Sequence, residues 1–213
     1  MRKQIAASLV GAILMVGVVG RAQAISYGFT EITSNSPVNV ASQLSVDVTG
    51  NEGNTRFKFA NAGSLQSSIT EIYFDFGKRF PMTYKGMTDS GASVNFGVGA
   101  NPNDLPSGNT ISFESGWSAD SSTPNKPLQG INNTANSSEW LSIGFSGLTF
   151  SQIISGLNDH AFRIGLHVTS LSDGASESYV TGTPVPEPGT MVLLGIGLLG
   201  LAIYGKRRMN KQA

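Results

Sequence analysis

The chain has 213 residues, no cysteine, two histidines, 26 glycines and 13% charged residues, with 14 basic side chains balancing 14 acidic ones. The balance hides a segregation: residues 25–180 hold seven basic residues against thirteen acidic ones, and the remaining basic residues gather near the two chain ends. An acidic body argues against nucleic-acid binding through a basic patch, and the missing cysteines exclude disulfide frameworks, cysteine-ligated zinc and cysteine nucleophiles.

Residues 1–24 read as a secretory signal peptide. Arg2 and Lys3 precede a mostly apolar run from Ile5 to Gly20, and Ala22-Gln23-Ala24 supplies the small residues that signal peptidase needs. Cleavage is expected before Ile25, with Ala22 and Ala24 as the recognition residues. The alternative for this segment is an N-terminal membrane anchor.

Residues 25–180 form the expected body, long enough to bury a core without metal or disulfide support. Its dominant signal is period two. Leu44, Val46 and Val48 alternate with Ser45, Asp47 and Thr49; Phe57 and Phe59 flank Lys58; Ile72, Phe74 and Phe76 flank Tyr73 and Asp75. The pattern returns at Val94, Phe96 and Val98, at Ile111 and Phe113, at Leu141, Ile143 and Phe145, and at Phe162, Ile164, Leu166 and Val168. Each such run predicts a strand with one buried and one wet face. Turn clusters such as Gly50-Asn51-Glu52-Gly53-Asn54 and Ser172-Asp173-Gly174 separate them. The fold expected is mainly β: a single antiparallel β-sandwich, jelly-roll-like, with one short helix. That helix is capped by Thr149, buries Ile153, Ile154 and Leu157, and closes at Asn158-Asp159. Residues 115–138 read as a long exposed loop.

No catalytic constellation is present: the chain lacks a G-x-S-x-G elbow, an H-E-x-x-H motif and a phosphate-binding loop. His167 reads as a solvated strand residue, and His160 stands in a turn where it could pair with Asp159. Thirteen body acids offer many glycosidase-like pairs and nothing to choose among them. Asn103, Asp104 and Glu114, or Asp173 with Glu177, supply oxygen ligands of the kind calcium takes, without the alternation of a calcium loop. No metal and no cofactor is expected. Trp117, Tyr73, Tyr84 and Trp140 are the aromatics available to a sugar. Trp117 is the candidate ligand contact, because Gly116, Ser118 and Ala119 around it give no pattern that would bury it. The competing reading puts Trp140 in the core and folds Trp117 over an edge. Asn132-Asn133-Thr134 and Asn136-Ser137-Ser138 fit glycosylation sequons and read as loop composition.

Residues 181–190 read as a proline-rich linker containing Pro186-Glu187-Pro188, which can join neither helix nor ladder and stays open to a processing enzyme. Residues 191–205 follow as a single transmembrane helix. With its flanks the segment spans about 17 residues and ~25 Å, the short limit for a bilayer core. Residues 206–213 form a basic tail in which Lys206, Arg207 and Arg208 act as the membrane stop signal and stay in the cytoplasm. Gly195-Ile196-Gly197-Leu198-Leu199-Gly200 fits a dinucleotide-binding pattern but has no strand before it and no acid after it.

The tripartite tail, Pro186-Glu187-Pro188, a short apolar helix and Lys206-Arg207-Arg208, resembles the PEP-CTERM sorting signal of exopolysaccharide-producing Gram-negative bacteria. The resemblance covers residues 184–213. It implies recognition by a membrane-embedded exosortase, cleavage near the motif, transient retention in the inner membrane after passage through the secretion machinery, and delivery to the cell surface or extracellular matrix. Together with the missing catalytic constellation this reads as a non-enzymatic surface or matrix protein associated with exopolysaccharide or biofilm; the alternatives are a carbohydrate-binding module and a secreted polysaccharide hydrolase. A sortase signal, a GPI signal and an ordinary single-pass anchor are the rival readings of the tail. The run from Phe145 to Val168 is similar to the C-terminal part of bodies found in PEP-CTERM proteins, which supports export and a β fold and adds no chemistry.

Overall fold

The computed structural model describes residues 23–185 apart from 52, 77–78, 92, 108–109, 122–128 and 134–138. The expected signal peptide, apart from Gln23 and Ala24, lies outside the described residues, as do the Pro-Glu-Pro motif, the transmembrane helix and the basic tail. No helix among the described residues is long and apolar enough to cross a membrane.

Alternation in the first two apolar runs builds a hairpin of β2 (Leu44–Asn51) and β3 (Asn54–Asn61), turned by Gly53 at φ 75°, a left-handed conformation that favours glycine. Val46, Val48, Phe57 and Phe59 point inward and are fully buried, while Arg56 and Lys58 point out. β1 (Gln23–Glu31) pairs with β2 on one side and with β11 (Glu177–Val185) on the other. β4 (Ser68–Asp75), β5 (Thr83–Asp89), β6 (Gly97–Val98), β7 (Trp117–Asp120), β8 (Ile131–Asn132), β9 (Trp140–Ser146) and β10 (Arg163–Thr169) complete the set. Every pairing is antiparallel, in the order β5-β9-β3-β2-β1-β11-β10-β4-β7-β6, with β8 also on β4.

The strands thus belong to one continuous, curled antiparallel sheet, mainly β as the sequence predicts. Pairing of the first strand with the last is a non-local event that no local pattern announces. The curl is visible in the core. β3 and β4 are separated by four strands in the order, yet the rings of Phe57 and Phe74 are 5.1 Å apart. Phe74 also meets Phe145 at 5.0 Å and Trp117 at 5.6 Å. Bulges in the β1–β11, β4–β10 and β5–β9 ladders supply the bending.

The helix α1 (Phe150–Asn158) forms as expected. Thr149 accepts the Gln152 N–H, the Gln152 side chain accepts from the Thr149 N–H, and Phe150, Ile153 and Leu157 close one end of the curled sheet.

Several expectations are corrected. The face of β4 that carries Tyr73 is not wet: Tyr73 is fully buried with Ala100, Leu105 and Phe113 in a second small core. Residues 99–107 and 110–116 make that core by covering the outside of β4 and β10 as a strap, so Ile111 and Phe113 are strap anchors, not strand residues. Of the run Val94–Val98 only two residues are strand; Val94 is buried and Val98 is exposed. The segment read as a long loop from 115 to 138 contains β7 and β8, short strands held by long-range pairing with β4. The linker expected from residue 181 begins later, because residues 181–185 are still β11.

Candidate functional site

The chain ends are the site that sequence and structure bring together. β1 and β11 run antiparallel as neighbours in the middle of the sheet order, with Ser26 opposite Val185 and Tyr27 opposite Pro184. The expected signal-peptidase cut before Ile25 and the last residue of β11, Val185, therefore lie on adjacent strands at one pole of the body. The ladder shifts register between Tyr27 and Phe29, opposite Gly182 and Thr183. A bulge is where proline, with no N–H to donate, can sit inside a sheet, and Pro184 follows directly. Beyond the bulge at Gly182 and Thr183, Pro184 and Val185 resume the pairing with Tyr27 and Ser26, and β11 runs to Val185.

Ala24 is exposed on β1, but Ala24 and Ile25 are already paired with Thr49 and Val48 of β2. Ala22, Pro186, Glu187, Pro188, Lys206, Arg207 and Arg208 lie outside the described residues.

Trp117, the candidate ligand contact, is half-buried in β7. Its ring stacks on Tyr84 at 5.0 Å and meets Phe145 edge-on at 5.2 Å. Trp140 is not a core residue: it is half-buried at the start of β9, with the Lys58 Nζ 5.0 Å above its ring. Three of the oxygen ligands considered for calcium, Asp104, Asp173 and Glu177, are engaged by the protein. Asp104 Oδ1 accepts the Ser115 N–H at 2.7 Å, tying the two limbs of the strap together, while Asn103 and Glu114 are exposed. Asp173 accepts from the Ser36 hydroxyl at 2.6 Å, and Glu177 accepts from the Ser36 N–H and the Thr33 hydroxyl. The bond from Ser36, then that from the Ala175 N–H, holds the Asp173 carboxyl below its ordinary range. No group of three His, Asp or Glu side chains among the described residues is placed to hold a metal. His160 is exposed at φ 54°, and its N–H caps the helix at Leu157.

His167 is not the solvated residue expected. Its Nδ1 lies 2.9 Å from Glu71 Oε2, and the same oxygen accepts the Tyr73 hydroxyl at 2.6 Å. Burial, then the bond to Glu71, pushes the Tyr73 phenol far above its usual value. The three side chains lock β4 to β10 beneath the strap. The sequence held one signal for this cluster: Glu71 and Tyr73 are two apart and so share a face. Arg163 completes that face, pairing with Asp75, donating to the Ser112 carbonyl and lying over the Phe113 ring.

No curated protein and no solved structure matches the chain. The tail does match a known family, described as a PEP-CTERM protein-sorting motif, over residues 184–208. That match begins at Pro184, which lies opposite Tyr27 in the next-to-last position of β11. The chain therefore carries a PEP-CTERM protein-sorting motif at residues 184–208, which implies export and recognition by an exosortase.

Proposed function

We propose that this chain is a non-enzymatic surface or matrix protein, brought to the membrane by a signal peptide over residues 1–24 and held there transiently by a transmembrane helix over residues 191–205. Exosortase then cuts near Pro186-Glu187-Pro188 and passes the body, a jelly-roll-like sandwich in this reading, to the cell surface or extracellular matrix. There it associates with exopolysaccharide and biofilm. The observation that carries the reading is the match of residues 184–208 to the sorting motif, which begins within the last two residues of β11, the final strand of the folded body.

The test is expression in an exosortase-bearing host, with Pro186-Glu187-Pro188 intact or replaced by alanines. The intact chain is expected to yield a body ending near residue 187 outside the cell, and the variant to remain in the inner membrane with its tail. Retention of residues 189–213 by both would make the tail a permanent anchor.

A carbohydrate-binding role is the second reading. It is favoured by Trp140, half-buried on the outer face of β9 with Lys58 over its ring, an aromatic and a cation side by side on a sheet surface. In that reading Trp117 is a further sugar contact.

A further inference from the structure

The body has a charge polarity along its strands that net charge conceals. Among the described residues at the pole where β1 begins and β11 ends, Arg56, Arg79 and Lys85 stand on the side of β3 and β5 with Asp159, while Arg163 stands on the side of β4 with Asp75 and the strap's Asp104 and Glu114. Asp75 is already spent on Arg163. At the opposite pole stand Glu31, Asp89, Glu139, Asp173 and Glu177, with no Lys or Arg among the described residues there. Arg56, Arg79 and Lys85 are exposed, and no described carboxylate lies within ion-pair distance of any of them.

Arg56 and Lys85 face each other across Gly144, and with the β2–β3 turn they line an open groove of about 500 Å³. Beside it, Ile25, Phe150 and Ile154 form an apolar notch between the first strand and the helix. The exit point of the chain lies at the same pole. Five residues, 186–190, separate the end of β11 from the apolar run that starts at Met191. Fully extended they reach ~17 Å, which keeps this pole against whatever surface the apolar run enters.

We propose that this pole is a membrane-docking surface, whose occupant is the anionic lipid headgroup layer of the bilayer that holds the tail. Arg56, Arg79 and Lys85 contact lipid phosphates, while Ile25 and Ile154 rest at the interface. The acidic pole points away. A signal-peptidase cut before Ile25 adds an α-ammonium to the same face. The proposal rests on the membrane-held stage of the sorting reading above. Docking orients the body so that the Pro-Glu-Pro segment lies along the membrane surface, where an enzyme embedded in that membrane can reach it.

The chain has no cysteine, so a single introduced cysteine carries a unique label. Residues 25–213, with Ser151→Cys at the docking pole or Ser172→Cys at the far pole, are placed in lipid nanodiscs containing phosphatidylglycerol or only phosphatidylcholine. Fluorescence quenching by spin-labelled lipid is then read. The Ser151→Cys label is expected to be quenched about threefold more strongly in the anionic discs, an excess that salt removes. Arg56→Gln with Lys85→Gln should abolish that excess, and the Ser172→Cys label should stay dark to the quencher. Equal quenching in both lipids shows that the tether alone holds the body and overturns the proposal. Binding of a soluble polyuronate through Arg56 and Lys85, without lipid-dependent quenching, overturns it in favour of an acidic polysaccharide. A chain that fails to enter the discs overturns the membrane-held stage itself, a distinguishable failure.

Discussion

The rings of Tyr84 and Trp117 stack 5.0 Å apart, at 26° to one another, although their strands lie at opposite ends of the sheet order. β5 is one edge and β7 stands next to the other, so this pair closes the curl over Phe145 and Phe74. A ring lost here opens the seam at the point where no ladder of hydrogen bonds holds it. Trp117→Ala is expected to lower stability by ~3 kcal/mol, and Tyr84→Ala by less, since Tyr84 is the more peripheral ring. A double-mutant cycle in urea should give a coupling of about 1 kcal/mol. Loss of glycan binding on Trp117→Ala with no change in the unfolding midpoint would instead restore Trp117 as a ligand contact.

The strap over residues 99–116 rests on a single missing side chain. A Cβ at Gly165 would lie 2.6 Å from Leu105 Cδ2 and 3.1 Å from Phe113 Cζ, closer than packed carbon atoms approach. Gly165→Val therefore lifts the strap away from Tyr73, at an expected cost of ~2 kcal/mol. Limited proteolysis is the sharper measurement: cleavage within residues 99–116 should accelerate while β2, β3 and β9 remain protected. Unchanged cleavage would mean that the strap is held from elsewhere.

That strap also marks the border of what the sequence disclosed. Strands with alternating patterns, β2, β3, β9 and β10, were legible because one of their faces is polar, and the Thr149 cap announced its helix by chemistry alone. In β4 the alternation points Ile72 and Phe74 into the core but leaves Tyr73 to water, because a strand pattern does not say what a distant loop will cover. The same blindness applied to His167, whose partner Glu71 is 96 residues away. At the chain ends the reverse held. The sorting segment is legible as composition, whereas the pairing of Ser26 with Val185, which sets the start of β1 beside the end of β11, exists only in three dimensions.

Burial pushes the phenols of Tyr27, Tyr73, Tyr84 and Tyr179 upward, with Tyr73 and Tyr179 fully buried. A folded-state value raised above the unfolded one leaves the phenol protonated in the fold while the unfolded chain ionises from about pH 10. The stabilisation is complete below that pH and drains away as pH rises towards the folded value. Thermal midpoints should fall steeply above about pH 10, on the order of 1 kcal/mol per pH unit for each of Tyr73 and Tyr179. Tyr73→Phe should flatten this alkaline limb while costing about 1 kcal/mol at neutral pH through the lost bond to Glu71. An alkaline limb as steep as the parent's would exclude Tyr73 as its source.

The position of the expected signal-peptidase cut sets an order of events. Ala24 and Ile25 stand within the β1–β2 ladder, and Ser26 pairs with β11, the last strand of the body to be made. A peptidase takes its substrate extended and unpaired, so a folded precursor offers the Ala24–Ile25 bond only when β1 detaches. β1 lies between β2 and β11, and its detachment breaks the sheet in the middle, an opening that costs much of the global stability. Cleavage is therefore expected on the emerging chain, before β11 closes on β1. Precursor folded with residues 1–24 attached should be cut by signal peptidase at least tenfold more slowly than the same precursor kept unfolded, the difference following the population of the open form. Ser172→Ala, an exposed turn residue at the opposite pole, should leave that ratio unchanged, whereas Val48→Ala, which loosens β2 beneath Ile25, should shrink it. Equal rates for folded and unfolded precursor would show that β1 forms its pairs only after residues 1–24 are gone.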